Sequence, residues 1–97
     1  MTVEHIVLIE ANSGVSDEQT KEILDGIAAL KDKIPGVLDV KIGENFTNRA
    51  PHISHAVVVT LTDKDALAAY GPHPAHKDLL KILMPFAKNL TIADIEM

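Results

Sequence analysis

The sequence predicts an α+β domain in which helices cover one face of a small antiparallel sheet, and three observations carry that prediction. First, two runs, Val3–Glu10 and Ile53–Leu61, place apolar residues on both sides of an alternating pattern, as central strands do. Second, apolar residues recur at helical spacing in two segments, Ile23, Ile27, Leu30 and Ile34 in one and Leu79, Leu80, Ile82, Leu83 and Phe86 in the other. Third, Pro35-Gly36 and Gly71-Pro72 interrupt the chain where one periodicity gives way to the next. At 97 residues without an internal repeat, the chain is expected to form one domain, 1–97.

The elements follow in order. In Val3–Glu10, His5, Val7 and Ile9 share a face with Val3, while Ile6 and Leu8 lie opposite. Ala11–Val15, with Asn12 and Gly14, reads as a turn. Ser16 followed three residues later by Gln19 is a capping-box pattern, so a helix starts there and runs along the Ile23 stripe to Ile34. Pro35-Gly36 stops it, and Val37–Glu44 alternates as a half-exposed edge strand. Asn45–His52 is expected to be a mobile loop. In Ile53–Leu61, His55, Val57, Val59 and Leu61 point one way, and Ala56 and Val58 the other. Thr62 with Asp65 resembles a helix start, and Ala66, Leu67, Ala69 and Tyr70 supply a packing face. Pro74 suits the first turn of a further helix that Pro85 kinks or ends, because proline has no amide donor. Leu90–Ile95 closes as a strand.

The order is thus β-α-β-β-α-α-β. Two β-α-β units joined by a strand pair give the split, ferredoxin-like arrangement, with the first and third strands adjacent at the centre of the sheet.

Composition narrows the function. Zero cysteines exclude disulfides and thiolate catalysis, and a net charge of -5 argues against nucleic acid or anionic membranes as partners. No run approaches the roughly 18 apolar residues of a membrane span, and the strand-like start lacks the features of a signal peptide, so a cytoplasmic protein is expected. With 3% aromatic residues the core must be aliphatic. A domain this small buries only about two-thirds of its unfolded surface, so added burial would stabilise it. The second apolar face of the central strands supplies a place for that burial, and a two-fold homodimer through the sheet face is the expected partner arrangement.

Five histidines stand out in 97 residues. By parity His5 and His55 share one face of the sheet, and the expectation is that they lie near one end of it, with His76 close by at a helix start and Tyr70 at the end of the preceding helix. Histidine titrates near neutrality, so such a pocket is a candidate acid/base site. The alternative is that His5 and His55 are core groups satisfied by the backbone. His52 and His73 are expected to face solvent. His73 and His76 form an HxxH that matches no closed zinc signature, and neither a metal nor a cofactor is expected.

The pieces VEHIVLIE, LKDKIPGV, GENFTNRAPHISHAVVVTL, AYGPHPAH and TIADIE, in this order, resemble the stress-responsive A/B-barrel domain family, also called the Dabb or dimeric α-β barrel family, over essentially the whole chain. The resemblance implies ferredoxin-like protomers whose sheets pair into a dimeric α/β barrel. It also implies two kinds of function: stress-related binding of a small organic ligand, or the aldol-type ring closure performed by a polyketide-cyclase branch. In that branch a tyrosine and the second histidine of HPAH are the catalytic pair, which here are Tyr70 as oxyanion donor and His76 as general base. Histidines of the first and third strands line the pocket there, giving His5 and His55 as substrate-binding residues for a polyketide-like ligand. Two departures stand beside these matches. Ile27 occupies the position of a further pocket tyrosine, and Gly71-Pro72 alters the turn before HPAH.

Overall fold

A computed structural model describes residues 1–97. The chain runs β1 (Val3–Ala11), α1 (Asp17–Ala28), α2 (Leu30–Lys33), β2 (Val37–Glu44), β3 (His55–Leu61), α3 (Lys64–Tyr70), α4 (Pro74–Phe86) and β4 (Ala87–Glu96). The four strands form one sheet in the order β2-β3-β1-β4, and every neighbouring pair is antiparallel. This is the ferredoxin-like α+β topology, with β1 and β3 at the centre.

Alternation assigns the two faces of the sheet. Val3 and Ile9 of β1 and Val57, Val59 and Leu61 of β3 are buried beneath the helices. They pack against Ile23, Ile27, Leu30, Leu83 and Phe86 in one aliphatic core. Val7 has the same parity and also faces the helices, whereas Ile6, Leu8, Ala56 and Val58 lie on the opposite, uncovered face. No helix is long and apolar enough to cross a membrane.

Local chemistry explains most boundaries. Ser16 Oγ accepts from Gln19 N (3.1 Å) and Gln19 Oε1 accepts from Ser16 N (2.9 Å), so the capping box forms as its sequence implies. The helix does not run unbroken to Ile34, however. It ends at Ala28, and α2 is a single turn, tightened by Asp32 N donating to Ala29 O at 3.2 Å. The apolar stripe crosses this break, since Leu30 and Ile34 remain buried, which is why periodicity alone reads as one helix.

Three further boundaries differ from expectation. Asp63, not Thr62, caps α3: its Oδ1 accepts from Ala66 N at 2.8 Å, while Thr62 N is taken by Gly36 O. Pro85 lies in the last turn of α4, which stops one residue later at Phe86, close to where the proline was expected to act. Position β4 begins at once, at Ala87 rather than Leu90, anchored where Asn12 N donates to Phe86 O at 2.8 Å. β3 starts only at His55, because Ile53 N is engaged with Ala50 O. Asn45 ties that loop together, donating to Ala50 O and Ile53 O and accepting from Thr47 N.

The pairing register corrects one expectation about the histidines. His5 and His55 do share the helix-covered face, but His5 lies opposite Val59 and His55 opposite Ile9. Four residues of strand, about 13 Å, separate the two levels. They sit toward opposite ends of the sheet.

Candidate functional site

Between the helix-covered side of β1, β3 and β4 and the inner sides of α3 and α4 lies a cavity of about 310 Å³. That is at the small end of the roughly 300–1,000 Å³ usual for small-molecule sites. Among its lining residues only His5, Tyr70 and His76 carry polar side chains, so its chemistry is concentrated in one cluster of rings against an aliphatic wall.

Each ring is placed by its own element. Tyr70 is the last residue of α3 and is buried. Gly71 and Pro72 then turn the chain, and His73 caps α4 by accepting from Ala75 N through Nδ1 (3.0 Å). Pro74 opens the helix, which brings His76 into its first turn, facing back over Tyr70. The Tyr70 and His76 ring centroids are 4.6 Å apart at 51°. His5, near the start of β1, meets Tyr70 edge-on at 5.5 Å and 62°.

Hydrogen bonds settle the direction of both imidazoles. Gly71 O can only accept, so His76 Nδ1, 3.0 Å away, carries the proton and donates. Its Nε2 is left as the basic atom. His5 Nδ1 is paired in the same way with Asp94 Oδ1 at 2.5 Å. Neither Nε2 nor the Tyr70 hydroxyl has a protein partner, and no fully buried side-chain polar atom of the molecule lacks one. These three atoms are therefore not sealed off, and their residues line the cavity.

Burial sets the protonation of the pair. It pushes the Tyr70 phenol up to about 12, so the hydroxyl stays a donor through neutral pH. It also lowers His76 below the usual histidine range, an effect opposed by the Gly71 carbonyl and reinforced by His5 when that ring is protonated. A neutral imidazole beside an un-ionised phenol is a base next to an acid.

His55 is not part of this cluster. It is buried, its Nδ1 meets Ser54 Oγ at 3.0 Å, and its ring lies 6.3 Å from Phe86, outside the cavity. It is a core residue, as the alternative had it, but its partner is the Ser54 hydroxyl rather than the backbone, and the register carries it away from His5. His52 is exposed, as expected, while His73 is half-buried as a helix cap rather than free in solvent. No group of three or more His, Asp or Glu is arranged to hold a metal ion.

Asp94 is the member that sequence reasoning missed. It lies directly across from His5 in the β1/β4 register. The alternation of Ile92, Asp94 and Glu96 in the last strand was the available signal, but it identifies a partner for His5 only once that register is known.

Comparison with known proteins identifies the family and agrees with the fold. Over 96 residues the chain is 27% identical to olivetolic acid cyclase of Cannabis sativa, covering 97% of this chain and 95% of that protein. Over 94 residues it is 28% identical to the stress-response A/B barrel domain-containing protein HS1 of Arabidopsis thaliana, covering 95% and 86% respectively. Its structure superposes on a dimeric ferredoxin-like protein of Thermobifida fusca with a TM-score of 0.88 at 26% identity, covering 100% of this chain and 92% of the other. The sequence model of the Stress responsive A/B Barrel Domain matches residues 3–97. The chain belongs to that family.

Proposed function

We propose that this protein is a homodimer whose protomers each bind a small, largely apolar carbonyl compound, and that Tyr70 and His76 act on it as an acid/base pair. One observation carries the reading: at the polar end of an aliphatic cavity, His76 has committed Nδ1 to Gly71 O while its Nε2 and the Tyr70 hydroxyl remain open.

The chemistry that fits is enolisation followed by carbon–carbon bond formation. His76 Nε2 removes a proton from the carbon between two carbonyl groups, and the electron pair moves onto oxygen, where the Tyr70 hydroxyl donates to the developing enolate. The enolate carbon then attacks a third, more distant carbonyl of the same chain, closing a ring. The alkoxide formed there takes back the proton held by His76. Similarity to olivetolic acid cyclase supports this aldol-type, polyketide-like reading. His5 lines the same cavity and would orient the ligand. His55 is a core scaffold residue in this account, lying beside Phe86 outside the cavity.

A second reading, retention of the ligand without turnover in a stress-related role, draws support from the similarity to HS1. Both readings require binding. Tyr70 is the sole tyrosine and tryptophan is absent, so intrinsic fluorescence reports on the cavity directly. Titration with a linear alkyl β-diketone is expected to change that emission saturably, with His76→Ala weakening the affinity about tenfold. No saturable change in the wild type, or full affinity in His76→Ala, would overturn the proposal.

A further inference from the structure

His5 has a feature that the pair of Tyr70 and His76 leaves unused. Its Nδ1 is bound to Asp94 Oδ1, and an ionised carboxylate only accepts, so Nδ1 carries a proton and is the protonated nitrogen of the neutral ring. Nε2, at the other side of the ring, has no protein partner and is open, and His5 lines the cavity. Asp94 in turn has no other ion-pair partner. Two residues further along β4, Glu96 is engaged by Lys64 of α3 at 3.4 Å. The titratable groups around His5 are thus Asp94 from β4, Tyr70 from α3 and His76 from α4.

We infer that Asp94 is a positioning residue of this site, holding His5 so that Nε2 of the neutral ring offers a lone pair to a hydroxyl of a ligand that also carries the carbonyl group met by Tyr70. The inference rests on the reading of the cavity given above and deepens it by naming the substrate class. Three open atoms lie along a row of rings spaced 5.5 and 4.6 Å apart. His5 Nε2 accepts, the Tyr70 hydroxyl donates and His76 Nε2 accepts. A plain hydrocarbon tail cannot satisfy that row. Its complement is a chain with oxygen functions a few carbons apart, one of them an alcohol hydroxyl, as in a partly reduced polycarbonyl compound. An unbonded polar atom in a closed site costs affinity, so the site discriminates against ligands lacking the hydroxyl.

The test has two arms. NMR of the imidazole nitrogens reads the tautomer of His5 without any turnover. The proton is expected at Nδ1 in the wild type and in Asp94→Asn, whose amide oxygen still accepts, and at Nε2 in Asp94→Ala. Fluorescence titration of the same proteins compares a linear alkyl β-diketone with its hydroxylated derivative. Asp94→Ala is expected to lose about tenfold in affinity for the hydroxylated ligand alone, with Asp94→Asn restoring most of it. An Nδ1 proton persisting in Asp94→Ala, or equal losses for both ligands, would overturn the inference. If the wild type binds neither ligand, the reading of the cavity fails and the inferred substrate class fails with it, and the tautomer arm still decides whether Asp94 directs His5.

Discussion

Tyr70 and His76 owe their complementary states to the same cause, because withdrawal from water disfavours the charged form of each: the phenolate of one and the imidazolium of the other. A phenol raised to about 12 favours folding below its unfolded value near 10, and that contribution disappears as pH climbs from about 10 to about 12. With one tyrosine in the chain, phenolate absorbance reads Tyr70 alone. Its midpoint is expected near 12 in the folded protein and near 10 after denaturation, and coincident midpoints would contradict the burial argument. His76 has the opposite sign. Because its folded value is depressed, its contribution to stability is present above the unfolded value of about 6.5 and is lost as pH falls from there through the folded value. A His76→Gln protein should unfold with a weaker acid dependence over that window, as read by urea midpoints across pH. Both residues were legible in the sequence, since AYGPHPAH puts a tyrosine before a turn and a histidine in the next first turn. His55 and Asp94 were not. Parity says which face a residue takes, but register says which residues meet, and register is a property of paired strands.

The elements are set by short-range chemistry that sequence patterns report unevenly. Ser16 and Gln19 could be read directly because a capping box is local, and Ser16→Ala is expected to lower stability by about 1 kcal/mol, a fall in Tm of several degrees by calorimetry. The break at Ala29 and the transfer of the α3 cap from Thr62 to Asp63 could not be read in this way. In each, a backbone bond elsewhere decides: Asp32 N to Ala29 O in one, and Thr62 N to Gly36 O in the other. Gly36 illustrates the coupling. It sits at φ +90, and a Cβ there would lie 2.8 Å from Ala66 Cβ of α3. Gly36→Ala therefore meets both backbone strain and a clash, with an expected loss of about 1–3 kcal/mol measurable in the same calorimetric series. A neutral effect would mean that α3 yields more easily than its contact with the α2–β2 turn implies.

At the scale of the whole molecule, the sheet separates two tasks by parity. Its covered face carries the core and the cavity, and its open face presents Ile6, Leu8, Ala56 and Val58. The two apolar sides were visible in the sequence, whereas their assignment required knowing which side the helices occupy. Val7 falls on the cavity side and Val58 on the open side, so Val58→Asp is the informative probe of self-association. Wild-type protein is expected to sediment as a dimer at micromolar concentration and Val58→Asp as a folded monomer; a wild-type monomer would contradict the dimer proposal. Since the cavity lies beneath the helices of a single protomer, such a monomer should still bind ligand through Tyr70 and His76. The most direct test of that pair is proton exchange at the carbon between the carbonyls of a β-diketone, followed by NMR in deuterated water. Wild-type protein is expected to accelerate this exchange, with His76→Ala and Tyr70→Phe each reducing the acceleration roughly a hundredfold. Acceleration that survives in His76→Ala, or a wild type that binds the diketone without accelerating its exchange, would contradict the account.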